Sequence, residues 1–179
     1  SVGNGIESFS PSQRNRLARL ARRAQQAGRF SKFVPASGAA SRLFSSGLKP
    51  DPRLVALLGR DLSPLVQRPK ALIPFHVYPG GETRTALEEQ LVEAAHFIRD
   101  VRGRCHVHLT LSEEHTNVVA DKIREVKSKY ERRYHIRLKV DRSIQKPSTQ
   151  VLAVYKDQSP VRDHQGRLVF RPGGHGALL

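Results

Sequence analysis

The segment Lys32-Phe-Val-Pro-Ala-Ser-Gly-Ala-Ala-Ser-Arg-Leu-Phe44 holds the residues best suited to meeting a phosphate. Small side chains from Ala36 to Ser41, with Gly38 among them, let a backbone pass close to a bulky ligand. Free N–H groups at a helix start attract an anion. Arg42, about one turn into such a helix, adds a fixed positive charge. Ser37, Gly38, Ala39, Ala40 and Ser41 are therefore candidate nucleotide-binding residues, with Arg42 as a candidate catalytic cation. The loop is not a P-loop, because Gly-Lys-Ser/Thr is absent. It is not the dinucleotide fingerprint either, which needs three spaced glycines. A structural turn with a surface Arg fits the same residues.

Two further segments carry related chemistry. In Pro69-Lys-Ala-Leu-Ile-Pro74 a Lys is fixed between prolines, which suits a point charge held on a phosphate. An exposed Lys in a linker is the alternative for Lys70. In Pro172-Gly-Gly-His-Gly176, Gly173, Gly174 and Gly176 allow a backbone to lie against a base or a sugar. His175 has a ring N–H to offer a phosphate or hydroxyl, and a plain turn is the alternative. His106 and His108 share one strand face and would make half a metal site. No Cys or His cluster completes it, so they read as ordinary strand histidines. Glu88, Glu89 and Glu93 near Arg84 read as surface pairing on one helix. Spacing assigns no Ser–His–Asp set.

The elements that must position these residues follow from periodicity. Residues 1–12 are Gly/Ser/Asn/Pro-rich and read as a loose segment, ahead of one domain over 13–179. A helix is expected from Pro11 to Gly28, with Leu17, Leu20, Ala21, Ala24 and Ala27 at helical spacing. Its other faces carry Arg14, Arg16, Arg19, Arg22 and Arg23. The strand–loop–helix at 32–46 comes next. A punctuated connection follows, with a short helix near Arg53 to Leu58. The chain from Arg68 to Tyr78 reads as extended, and Pro79-Gly80-Gly81 as a turn. Thr83 to Val101 reads as a helix, and residues 105–111 as an alternating strand. Ser112 caps a helix to about Tyr134, and Ile136 to Ile144 is another strand. Two strands, Gln150 to Tyr155 and Arg167 to Phe170, flank the turn Asp163 to Gly166. Strand, helix, strand, helix, strand implies a Rossmann-like, mostly parallel α/β sheet with flanking helices. Ligands then bind beyond the carboxyl ends of the strands, where the 37–42 loop, Gln145 to Thr149 and Pro172 to Gly176 fall.

Composition sets the partner class. The chain has 179 residues and a net charge of +15, which favours nucleotides, phosphosugars, nucleic acid or an acidic membrane surface, with a soluble enzyme from an Arg-rich proteome as the alternative. One cysteine, Cys105, excludes an internal disulfide framework and suits a reducing, cytoplasmic location. No apolar run approaches the roughly 20 residues of a membrane helix, so a membrane partner is not expected. Methionine is absent and the chain stops at Gly-Ala-Leu-Leu179, so a fragment of a longer protein is expected.

Taken together, the segments resemble a known group. Ser37-Gly-Ala-Ala-Ser-Arg-Leu43 looks like the signature loop of sugar nucleotidyltransferases, Gly-x-Gly-Ser/Thr-Arg after the first strand. Pro69-Lys70 looks like the Pro-Lys that follows it. Pro172-Gly-Gly-His-Gly176 is similar to the glycine-rich loop of UDP-sugar pyrophosphorylases. More closely, Lys32 to Phe44, Leu72-Ile-Pro-Phe75, Thr85 to Ala95, Gln145-Lys-Pro-Ser-Thr149 and Phe170 to Leu178 resemble a bacterial family of unknown function related to these enzymes.

That resemblance implies the nucleotide-diphosphosugar transferase fold. It implies that Gly38 to Ser41 wrap a nucleoside triphosphate and that Arg42 holds the leaving pyrophosphate. Lys70 would neutralise a phosphate, Gln145 would sit near the base, and Gly174 to Gly176 would line the nucleotide or sugar. The implied reaction is attack of a sugar 1-phosphate on the α-phosphorus, assisted by a divalent cation (Mg). Three departures bear on this. Ala40 replaces the signature's second Gly. Pro69-Lys70 lies far from Arg42 in sequence, so an inserted segment must fold back. The family's metal-binding Asp falls beyond Leu179, so this fragment is expected to lack its metal ligands and to be inactive alone. The competing reading is a non-catalytic basic module that binds RNA or another polyanion through the 14–29 helix.

Overall fold

The computed structural model describes residues 3, 5–38, 55, 56, 59, 65 and 68–173. Its first helix, α1 (Pro11–Gln26), is bounded by sequence-local chemistry. The Ser10 hydroxyl accepts the Gln13 N–H at 3.3 Å, and Gln13 Oε1 accepts the Ser10 N–H at 2.8 Å. Pro11 occupies the first turn, where its missing N–H costs nothing. Gly28 stops the helix at φ 70°, with its N–H on Gln25 O and the Arg29 N–H on Ala24 O. No residue of α1 is buried.

The other elements, in order, are β1 (Lys32–Pro35), β2 (Pro74–Val77), β3 (Thr83–Thr85), α2 (Ala86–Phe97), β4 (Arg104–Leu111), α3 (Thr116–Tyr134), β5 (Arg137–Ile144), β6 (Gln150–Leu152) and β7 (Phe170–Pro172). The main sheet has the order β1-β4-β5 and both pairings are parallel. Parallel neighbours need crossovers, and α2 and α3 lie in those connections. This is the expected α/β architecture, a parallel sheet with flanking helices. Two antiparallel pairs, β2-β3 and β6-β7, are appended to it.

Period-two alternation along β4 decides its two faces. Cys105, Val107, Leu109 and Leu111 are buried with Leu87 and Leu91 of α2 and with Val119 and Tyr130 of α3. Burial pushes the Cys105 thiol up to about 11, so it packs as a small hydrophobe. His106 and His108 point to the opposite face. His106 Nε2 lies 2.7 Å from Asp141 Oδ2, and His108 Nε2 lies 2.9 Å from Ser143 Oγ. His108 also stacks on Phe33.

Three expectations change here. Thr83–Thr85 is not the start of the helix but a strand paired with β2. The β-branched Thr83 and Thr85 favour the pleat, and Thr85 then caps α2 by accepting the Glu88 N–H. Lys70–Leu72 forms a 3-10 turn rather than extended chain. Arg84 and Glu88, read as surface pairing, are each only 4% exposed. The Glu88 carboxylate accepts the Thr85 N–H, the Thr85 hydroxyl and the Tyr130 hydroxyl. Burial pushes its pKa up, but these bonds and Lys122 outweigh burial and leave it lowered. Arg84 lies 4.2 Å from the Tyr78 ring centre and donates to Glu82. Lys129, Arg84 and Arg133 together hold Glu82 at about 2.

Candidate functional site

The site is assembled at the carboxyl ends of the three parallel strands. β1 and β5 are both paired to the central strand β4, and each hands its following residue to a β4 carbonyl. The Ala36 N–H donates to Thr110 O at 2.8 Å, and the Gln145 N–H donates to Leu111 O at 2.8 Å. The chain leaving β1 toward Ser37 and Gly38 and the chain leaving β5 at Gln145 therefore share one edge. Two strand spacings separate them, about 10 Å. A crevice of this kind is where open α/β sheets take ligands.

At the β1 side the Pro-Lys segment folds back onto the glycine loop. The Lys70 N–H donates to Gly38 O at 3.0 Å. A Cβ built on Gly38 would lie 4.0 Å from Lys70 Cδ, an ordinary contact. Pro69 is buried and Lys70 exposed, so the proline anchors the turn while the cation stays available. A cavity of about 210 Å³ opens beneath, lined by Val34, Ala36, Gly38, Lys70, Leu87 and Gln90 among others.

At the β5 side Gln145 is fixed by its amide. Its Nε2 donates to Thr149 Oγ1 at 3.0 Å and to Gly173 O at 3.4 Å. The Gly173 N–H donates to Thr149 O, so the β6-β7 pair holds the start of the glycine run against Gln145. Both amide hydrogens are thus engaged, and among the described residues Oε1 has no hydrogen-bond donor.

Of the candidate residues, Ser37, Gly38 and Lys70 meet at one end of this edge, and Gln145 and Gly173 meet at the other. Ala39, Ala40, Ser41, Arg42, Gly174, His175 and Gly176 lie outside the described residues. Sequence reasoning missed the middle of the edge. Ser112 follows Leu111 directly, and its Oγ lies 2.7 Å from Nδ1 of His115, which is buried. The signal was a hydroxyl at the carboxyl end of the central strand. It read only as a helix cap, although Ser112 makes no cap bond to a backbone N–H. Gln90 was missed because its lining of the cavity depends on where α2 docks.

Among the described residues no three His, Cys, Asp or Glu side chains gather as a metal-ligand set. Asp157 accepts from Ser159, and Asp163 accepts from Arg167, so both serve their own turns. No helix of the described residues is long and apolar enough to cross a membrane.

Residues 1–50 and 53–179 match the family described as a domain of unknown function (DUF4301). No curated protein matches. Among solved structures the chain is similar to a uridine diphosphate N-acetylglucosamine pyrophosphorylase from Trypanosoma brucei, determined in complex with an inhibitor. The identity is 15% and the TM-score 0.47, over 99% of this chain and 32% of that one. The chain thus spans about a third of the length of that enzyme.

Proposed function

We propose a function from one premise: the chain belongs to the DUF4301 family, and its carboxyl edge is the nucleotide-binding part of a nucleotidyltransferase-like protein. The observation that carries this reading is the bond from the Lys70 N–H to Gly38 O. It joins two segments chosen from sequence for phosphate chemistry, although a long stretch of chain separates them. Lys70 then supplies a point charge beside a loop whose small residues admit a phosphate chain. Gln145, about 10 Å across the edge, offers Oε1 to a ring N–H of the base. Gly173 begins the backbone wall on which base or sugar would lie.

The reaction this reading implies is nucleotidyl transfer to a sugar 1-phosphate. A phosphate oxygen of the sugar attacks the α-phosphorus of a nucleoside triphosphate. The bond to the β-phosphate oxygen breaks, and pyrophosphate leaves. Arg42 and Lys70 stabilise the charge that moves onto the leaving group. Among the described residues no ligand set gathers for the expected divalent cation (Mg). A cytoplasmic setting fits the single thiol, Cys105, which is buried.

Equilibrium binding of UTP and ATP to the chain tests the reading. Each buried charge contact to a phosphate is worth about 1.5–3 kcal/mol, so Lys70→Ala and Arg42→Ala should each weaken binding at least tenfold. Wild-type affinity in both variants sinks the phosphate assignment. Pyrophosphate release from a longer version given several sugar 1-phosphates then separates an enzyme from a relative that only binds.

A further inference from the structure

Helix α1 is the largest feature that the nucleotide edge leaves unused. Its sixteen residues include Arg14, Arg16, Arg19, Arg22 and Arg23 and no acid. Among the described residues none of these five arginines has an ion-pair partner. Packing does not account for them, since no α1 residue is buried. Helix electrostatics do not account for them all either. Arg23 suits the last turn, but Arg14 and Arg16 sit near the amino end, where the macrodipole favours acids. Positive charge is thus held on a capped, exposed helix, at some cost to that helix, with no ion-pair partner among the described residues to answer it.

The surroundings extend the same charge. The last turn is where α1 joins the domain: Gln25 Nε2 donates to Arg99 O, and the Val101 N–H donates to Gln26 O. The 99–103 turn on which it rests presents Arg99 and Arg102 to solvent, beside exposed Arg29. Asp100, the acid in this turn, is buried and accepts from Arg104, so it does not neutralise the surface. Phe9 and Phe30 bracket the helix and are 45% and 39% exposed.

We propose that α1 is a docking surface for single-stranded RNA, with its arginine face on the phosphates and Phe9 and Phe30 offered to unstacked bases. Arg16, Arg19 and Arg23 fall on one face at helical spacing, over a rise of about 10 Å. Guanidinium groups suit phosphate oxygens bidentately. Free bases stack on exposed aromatics, which a duplex does not permit. A membrane surface fits less well, because the apolar side of α1 holds only Leu17 and Leu20 beside alanines and carries no aromatic ring.

The test is fluorescence anisotropy of a labelled, mixed-sequence single-stranded RNA of about 20 nucleotides, titrated with the full chain across a salt series. Four phosphate contacts, from Arg16, Arg19, Arg22 and Arg23, predict a slope of log K against log salt of about −2.8. The triple variant Arg16→Ala, Arg19→Ala, Arg23→Ala should flatten it to about −0.7, while the corresponding Lys variant keeps it near the wild type. Phe30→Ala should weaken binding about tenfold at fixed salt. Circular dichroism checks that α1 stays helical, and UTP affinity, which depends on Lys70, should not move. A slope unchanged by the alanine variant overturns the proposal. So does tighter binding to duplex DNA, or to vesicles rich in phosphatidylserine, than to the RNA.

Discussion

Helices α1 and α2 open on the same device, a capping box made by Ser10 with Gln13 in one and by Thr85 with Glu88 in the other. Their fates differ. α2 buries six residues, among them Leu87 and Leu91, whereas α1 buries none. Local rules therefore start a helix without deciding its use. In α2 the cap residue Glu88 also receives the Tyr130 hydroxyl from α3, so the cap doubles as a tertiary tie. In α1 the cap closes on itself, and among the described residues the hydrogen bonds between the helix and the domain come from its last turn. One helix stabilises the domain, and the other offers the surface on which we place RNA.

Substitutions can break or sharpen this contrast. Leu91→Ala should cost about 2–5 kcal/mol in urea denaturation, because its side chain is fully buried. Leu20→Ala, on the half-exposed side of α1, should stay within about 0.5 kcal/mol. Equal losses at the two sites would erase the distinction between the helices. Glu88→Gln should cost about 1–3 kcal/mol, since it disturbs a buried acceptor of three hydrogen bonds.

Acid sharpens the same point through Glu82. Its pKa is about 2 in the fold against an ordinary 4.5, so the fold binds fewer protons there than the unfolded chain does. Stability is fully present above 4.5 and is lost as pH falls toward 2. Glu82→Gln should flatten that acid limb in denaturation curves taken across the range, and an unchanged limb would assign it elsewhere. A more local effect concerns the caps. Ser10→Ala and Thr85→Ala each remove about 1 kcal/mol of helix stability. Only Thr85→Ala should lower global stability. Ser10→Ala should speed amide exchange within α1 alone.

Much of this was legible in the chain. The bounds of α1 came from Pro11 and Gly28, and β4 and β5 came from alternation over 105–111 and 136–144. The turn at Asp163 to Gly166 came from its residue types, and the Gly166 N–H does donate to Asp163 O. The misreadings share a cause. Thr83 to Val101 has helical spacing throughout, but Thr83–Thr85 found an antiparallel partner in β2, and a partner outranks propensity. Arg84 and Glu88 read as surface charge because their types usually are. Tyr78 and Glu82 come from the β2–β3 connection and Tyr130 from α3 to enclose them, and no local window contains all three.

The sequence by itself determined the alternation of elements, the caps, the arginine face of α1 and the small residues around Gly38, because each depends on neighbours within a turn or two. The tertiary structure alone decided that Lys70 rests on Gly38, that Gln145 holds Gly173, and that Ser112 lies between them. Those meetings follow from how α2 and α3 pack β4 between β1 and β5, which brings separate stretches of chain to one edge. Burial over many side chains fixes that packing, and no single segment encodes it.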